Sequence, residues 1–356
     1  MKLALLGDIA LFGCCQQIDY FKNLGDYLCK FDYVVGNLET PFSVLEKKHG
    51  AKSAYICANP SIAEILRFLH LNAVNLANNH MFDYGREGYE KTKEILYKLG
   101  IEWFGTEGKD LQFDMCGAKL AFSGYCCYSS NPLQCVRQGK YGVNAYNLID
   151  VQKFIKNKVS EGFFPIVAVH AGLEHVNYPS IDHVKAARKL ADEHPYVYYG
   201  HHPHVIQGVE EYKGSLIAHS LGNFCFDDVY SPIDKEKPLI EMTENNRTGM
   251  ILELTIEDGM VKNWKEQILY IGKERMELIE TPQEVFGYNQ RLMNSTENTT
   301  DYNNKRNAIL NRRLEERKAM RNLSWFLKRL RPRYFRLMFD MKKNVKLYND
   351  NVLNYL

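Results

Sequence analysis

Tyr198-Tyr199-Gly200-His201-His202-Pro203-His204 runs two strand-forming tyrosines into a glycine and then sets three histidines among four residues. Neutral imidazole is the commonest protein ligand for zinc-type metals. Side chains at i and i+2 of an extended segment leave it on the same side. The spacing therefore predicts that His202 and His204 face one point and that His201 faces the other way. Taken alone, the segment fits a metal site and a solvated histidine cluster equally. Its meaning comes from what stands at the ends of the other apolar runs.

Those runs alternate with helical patterns over most of the first 270 residues. Lys2–Leu6 ends at Gly7-Asp8, Tyr33–Val35 at Gly36-Asn37-Leu38-Glu39, and Ala73–Leu76 at Asn78-Asn79-His80. Pro165–Val169 ends at His170 and Tyr196–Tyr199 at Gly200. Lys119–Tyr125, Ser215–His219 and Gly249–Ile256 read as further strands, and Asp258-Gly259 turns the last into Val261–Ile271 as a hairpin. Helical spacing recurs over Ser61–Leu69, Arg86–Leu99 and Asp182–Glu193. Such alternation predicts an α/β fold, where functional residues collect at the carboxyl ends of strands. Asp8, Asn37/Glu39, Asn79/His80, His170 and His202/His204 all stand there.

In that order, these blocks resemble the calcineurin-type metallophosphoesterases, and more closely their bacterial capsule synthesis branch, the CapA-type or poly-γ-glutamate synthesis proteins. The resemblance rests on Gly7-Asp8, Gly36-Asn37-Leu38-Glu39-Thr40-Pro41, Leu76-Ala77-Asn78-Asn79-His80, His170-Ala171-Gly172-Leu173-Glu174 and Gly200-His201-His202-Pro203-His204. Tyr212-Lys213-Gly214 and Ser220-Leu221-Gly222-Asn223-Phe224 extend it, so that it covers residues 1 to about 255. It implies a four-layer α/β-β/α sandwich with metals at one strand-end edge. It implies two divalent cations, Mn, Fe or Zn, held by Asp8, Glu39, Asn79, His170, His202 and His204, and water activated for attack on a phosphoester.

Asn79-His80-Met81-Phe82-Asp83-Tyr84-Gly85 also resembles a block of the 5′-nucleotidases, in which the histidine protonates the leaving group and an aspartate orients it. His80 and Asp83 are three apart, so they can pair across a turn; Asp83 as a plain helix cap is the competing reading. A neighbouring carboxylate should raise the imidazole's proton affinity, which suits a general acid. Asn37, Glu174, His201 and Arg247 are expected near the substrate. Glu174 could also bind metal or orient His170, and Arg247 could clamp an anion with two hydrogen bonds. His201 suits a structural neighbour as well as a substrate contact, while His49, His70, His183, His194 and His219 lack ligand spacing. Two blocks depart from the wider superfamily: position 10 is alanine where a histidine is usual, and Asn37 replaces an aspartate, with Glu39 able to supply the bridging carboxylate instead.

Hydrophobic content of 45% and charged content of 25% fit a folded chain and exclude wholesale disorder. The nine cysteines include no CxxC pair, the N-terminal apolar run is cut short by Gly7-Asp8, and no later run is long enough to span a bilayer. Reduced thiols and a cytoplasmic location, peripheral on the inner face of a membrane, are the expectation. Charge is unevenly spread. Residues 305–346 hold 15 Lys/Arg and 3 Asp/Glu, a net of +12 against +2 overall, so the remainder is acidic.

Three regions are therefore expected: a metallophosphoesterase-like domain over 1–275, an extension with a polar linker over 276–304, and a basic helical tail over 305–356 kinked at Pro332. Lys328–Phe339 mixes cations with aromatics, which suits an anionic membrane surface, a membrane-bound polymer synthase, or docking onto the acidic body. RNA would suit the tail too, but an acidic body disfavours nucleic acid. The resulting expectation is a metal-dependent phosphoesterase of capsule or surface-polymer synthesis, acting on a lipid-linked or polymeric substrate. The alternative is a non-catalytic accessory subunit of a polymer synthesis or export machine.

Overall fold

Side-chain alternation along the strand Lys2–Ile9 sets the layers. Leu3 and Leu5 point to one side and Ala4 and Leu6 to the other, and all four are fully buried. The computed structural model describes every residue except 51, 53, 138, 139, 232, 233 and 320–331. Its first sheet runs Met276–Ile279, Met260–Ile271, Thr248–Glu257, Lys2–Ile9, Tyr33–Leu38, Ala73–Asn75, Glu102–Phe104, with Asn223–Cys225 paired to the end of Lys2–Ile9. The second runs Val209–Tyr212, Ser215–Ala218, Val197–His201, Phe164–His170, Ala118–Cys126, Leu111–Met115. In the first sheet Lys2–Ile9 through Glu102–Phe104 are parallel and the strands from Thr248 to Ile279 are added antiparallel on the other side, while in the second a parallel centre is closed at both edges by hairpins.

Leu3, Leu5, Val35 and Phe104 of the first sheet meet Leu120, Phe122, Ile166, Val197 and Tyr199 of the second in a shared core. On the outer face of the first sheet, Ala4, Leu6, Val34 and Val74 pack against Phe21, Leu24, Leu66, Tyr89 and Leu96. On the outer face of the second, Val167, Val169, Tyr196 and Tyr198 pack against Val151, Phe154, Ala187 and Leu190. Helices thus cover both outer faces. This is the expected four-layer α/β-β/α sandwich.

Residues 283–319 correct the linker expectation. Gln283–Glu297 and Thr299–Ala319 are helices, so the polar stretch 295–304 is helical except at Asn298 and the expected boundary at 305 falls inside the second helix. Their apolar residues are sparse but in register, and Val285, Tyr288, Leu292 and Tyr302 are buried. Asn, Ser and Thr between them dilute the helical period beyond recognition in the sequence. A described helix begins at Pro332, Pro332–Asn351, and the expected kink there turns on residues 320–331, which lie outside the described residues. The cations Lys328, Arg329 and Arg331 of the expected basic tail lie outside the described residues as well. Among the described residues no helix is long and apolar enough to cross a membrane.

Candidate metal centre

Strand register assembles the first half of the site. Asp8 lies opposite Asn37, and Asn37 opposite Asn75, so three short polar side chains line up across neighbouring strands. They form one chain of hydrogen bonds: the Ala77 amide donates to Asn75 Oδ1 (3.1 Å), Asn75 Nδ2 to Asn37 Oδ1 (2.9 Å), and Asn37 Nδ2 to Asp8 Oδ1 (2.7 Å). A Cβ at Gly124 would stand 2.0 Å from Asn75 Oδ1, so this position on the facing sheet must be glycine for the amide to fit. A Cβ at Gly7 would meet the Gly222 carbonyl at 2.2 Å, which explains the glycine before Asp8. Asn78 joins two loops, donating to the Leu38 carbonyl (2.8 Å) and accepting from the amides of His80 (3.1 Å) and Met81 (2.9 Å). The loop carrying Glu39 is thereby tied to the one carrying His80.

The second sheet supplies the imidazoles, but not by the extended geometry expected. The strand ends at His201; His202 and His204 follow in bends with left-handed φ of 92° and 56°. Left-handed backbone is costly for a residue with a Cβ, and it survives at sites where the surroundings over-determine it. The bend sends the two rings to different partners. His202 groups with Glu39 and His170, and His204 with Asp8 and Glu39, the donor atoms of each group lying within 4.8 Å of one another. Glu39 belongs to both.

Glu39 is fully buried, and neither of its carboxylate oxygens has a hydrogen-bond partner. An uncompensated buried carboxylate costs several kcal/mol, so this one calls for a cation. Glu39 Oε1 lies 3.8 Å from His170 Nε2 and 3.8 Å from His204 Nε2. Ligands about 2.1 Å from a shared cation stand at most about 4.2 Å apart. These pairs already fit, and a wider spread closes with a shift of about half an ångström. Asn79 Oδ1 sits 2.9 Å from His170 Nε2 and can join that group. His204 turns Nδ1 to Asn223 Oδ1 (2.9 Å) and, more distantly, to Asp8 Oδ2 (3.3 Å), leaving Nε2 toward Glu39. The donor set of imidazole, carboxylate and amide oxygen suits divalent Mn, Fe or Zn.

Electrostatics agree. Burial, and then the neighbouring His202, holds His170 well below the usual imidazole value, and burial pushes His202 down to about 4, so both present neutral rings. Burial and then Asp8 push Glu39 up to about 8. Burial alone would lower His204, but Glu39 and Asp8 together raise it to about 10. Asp8, which burial would raise, is drawn below its ordinary value by His204, His201 and the His202 amide. Two buried carboxylates therefore hold a proton on His204 when no cation neutralises them.

His80 turns Nδ1 to Asp83 Oδ2 (2.7 Å) and Nε2 toward Glu39 Oε1 (3.9 Å). Asp83 caps no helix; it also accepts from the Ile56 amide (2.9 Å) and from Lys52 Nζ (2.8 Å). Lys52 changes one expectation. Burial and then the Lys52 ammonium outweigh Asp83, so His80 is held below, not above, its ordinary value.

Of the residues expected at the substrate, Glu174 stands half-buried on the loop after His170, where its charge acts on His202, His204 and Glu39. Asn37 does not meet substrate: both ends of its amide are engaged by Asn75 and Asp8. His201 lies beneath the site beside Tyr199, its Nδ1 3.5 Å from Asp8 Oδ1. Arg247 is buried, donating to the Ile271 carbonyl (3.3 Å) near Asp228 (3.9 Å). Its neighbour Asn246 reaches the site instead, donating to the His204 carbonyl (2.9 Å) and contacting His175 Nδ1 (3.0 Å).

Lys52, Asn75 and Asn246 were not singled out in the sequence. Asn75 could have been found as the one polar residue inside the apolar run Ala73–Leu76. Lys52 left no signal, because only the course of its loop brings it to His80.

The model of the family "Bacterial capsule synthesis protein PGA_cap" matches residues 2–228. The Bacillus anthracis capsule biosynthesis protein CapA is 27% identical over 74% of this chain and 69% of its own length. The Bacillus subtilis PGA biosynthesis protein CapA is 28% identical over 55% of this chain, which spans about half (53%) of that relative. Among solved structures, a hypothetical protein from Thermus thermophilus aligns over 75% of this chain and 98% of its own, with 16% identity and a TM-score of 0.47. A phosphatase from Mycoplasma pneumoniae aligns over 81% and 96%, with 16% identity and a TM-score of 0.44. With the family match spanning residues 2–228, and Asp8, Glu39, His170, His202 and His204 all inside it, the chain belongs to the bacterial capsule synthesis protein family.

Proposed function

We propose that this protein is a metal-dependent phosphoesterase acting in the synthesis of a capsule or other surface polymer. Glu39 carries the reading: a buried carboxylate with both oxygens unpartnered, shared by two donor groups. Divalent cations held there would supply Lewis-acid stabilisation of charge on phosphoryl oxygens and a water acidic enough to attack at neutral pH. Asp8, Glu39 and His204 would hold one, and Glu39, His170, His202 and Asn79 the other. The Asn75–Asn37 chain holds Asp8 in place, and Asn223 fixes the His204 tautomer. His80 presents Nε2 to the cluster while Asp83 holds Nδ1, the arrangement needed to pass a proton to a leaving oxygen. A phosphate anion beside Nε2 would raise the proton affinity that burial and Lys52 lower.

That lowered affinity is the observation favouring a second reading, in which the chain keeps metals as an accessory subunit of a polymer synthesis or export machine. Hydrolysis of aryl phosphomonoesters and phosphodiesters in Mn²⁺ separates the two. The enzyme reading expects metal-stimulated turnover that His202→Ala abolishes and His80→Ala lowers by about 100-fold or more. A metal-replete protein inert on both ester classes supports the accessory reading.

A further inference from the structure

The helix Pro332–Asn351 is fixed to the body through one face of its C-terminal half and presents another. Asn351 Oδ1 accepts from Asn147 Nδ2 (2.5 Å), Asn344 Nδ2 donates to Asn131 Oδ1 (3.3 Å), Tyr348 packs edge-on to His183 (5.9 Å), and Val352 is buried in the outer core of the second sheet. With 100° per residue, Asn344, Tyr348 and Asn351 define the inner face. Phe335, Phe339, Lys342 and Lys346 fall on the opposite side, with Met338 and Val345 on its flank. Phe335 is 53% exposed, Met338 58%, Phe339 72% and Val345 62%. Among the described residues, five of the 16 exposed large apolar side chains lie on this one 20-residue helix.

Apolar side chains are seldom left in water in such concentration without something to cover them. Here lysines share their face. A protein partner's hydrophobic patch would leave Lys342 and Lys346 desolvated, whereas a lipid headgroup layer takes the cations at the phosphate level and the rings just below it.

We infer that Pro332–Asn351 is a docking helix for an anionic lipid bilayer, lying in the membrane surface with Phe335, Met338, Phe339 and Val345 inserted and Lys342 and Lys346 on lipid phosphates. The inference does not depend on the metal centre being catalytic.

Flotation of the full chain with vesicles tests it. The protein is expected to float with mixed phosphatidylcholine–phosphatidylglycerol vesicles at low salt, and far less with phosphatidylcholine alone. Lys342→Ala combined with Lys346→Ala should weaken partitioning about 25-fold, at about fivefold per lysine. Phe335→Ser combined with Phe339→Ser should abolish it; all four positions are exposed, so thermal melting should stay that of the parent. Equal flotation on neutral and anionic vesicles, or lysine variants that partition like the parent, would overturn the inference. So would self-association in sedimentation that the phenylalanine variant dissolves, which would assign the face to a second copy. Retention on single-stranded RNA in place of vesicles would overturn it as well.

Discussion

The Lys52 ammonium lies 2.8 Å from Asp83 Oδ1, in an ion pair whose side chains are 8% and 0% exposed. It also reaches the Asn79 carbonyl (2.7 Å), so one side chain ties a loop, a proposed ligand segment and the carboxylate that orients His80. Removing one partner of a buried pair leaves the other charge uncompensated. Lys52→Met should therefore destabilise the protein by about 3–5 kcal/mol, while Lys52→Met with Asp83→Asn should cost clearly less than the two singles added. Urea unfolding of the four proteins measures this; simple additivity would show that the pair is not coupled.

Glu39 should behave in opposite ways with and without metal. In the metal-free protein its carboxylate is buried beside Asp8 without a hydrogen-bond partner, so Glu39→Gln should leave melting in chelator unchanged or raise it. Because both donor groups share Glu39, the same variant should lose metal from both. Elemental analysis after gel filtration checks the second part. A variant that retains the parent's full metal content would remove Glu39 from the centre.

Protons and cations should compete. The buried cluster of Asp8, Glu39 and His204, with His204 raised to about 10 and Glu39 to about 8, keeps protons shared among its members in the metal-free state at pH 6–8. Ligands must shed them to bind, so each pH unit upward in that window should strengthen binding by about tenfold per displaced proton. Calorimetric titration with Mn²⁺ in buffers of different ionisation enthalpy reads the number released. Affinity that is flat from pH 6 to 8 would contradict the arrangement.

Gly124 should matter to Asp8 although it touches neither Asp8 nor a proposed metal. Gly124→Ala sets a Cβ where Asn75 Oδ1 now lies, 2.0 Å away, and should cost about 1–3 kcal/mol as overpacking. Displacing Asn75 frees Asn37 and hence Asp8, so metal content should fall as well. Asn75→Ala in the Gly124→Ala background should restore stability without restoring metal. Recovery of both would show that the amide chain does not position Asp8.

Much of this molecule was legible before its structure. Strands at Lys2–Ile9, Phe164–His170 and Thr248–Glu257 were visible as apolar runs, and the helix Gly85–Leu99 as an amphipathic period ended by Gly100, because burial on one or both faces dictates residue type at every position. The polar stretch 295–304 reads as a linker because the helices it joins bury only a thin line of side chains, leaving polar residues free to mask the period.

The ordered blocks also named Asp8, Glu39, Asn79, His170, His202 and His204, since chemistry restricts those positions more tightly than packing does. Which of them meet was a tertiary matter. The left-handed bend after His201 splits His202 from His204 and leaves Glu39 between them. Register, not spacing, makes Asn37 a support for Asp8 in place of a substrate contact. Lys52 reverses the expected shift of His80 from a loop with no mark in the chain. By itself the sequence determined the layers and the donor types, because both are local demands on residue identity. Only the folded structure decided who shares a charge with whom, because electrostatics depends on distances that bends and registers set.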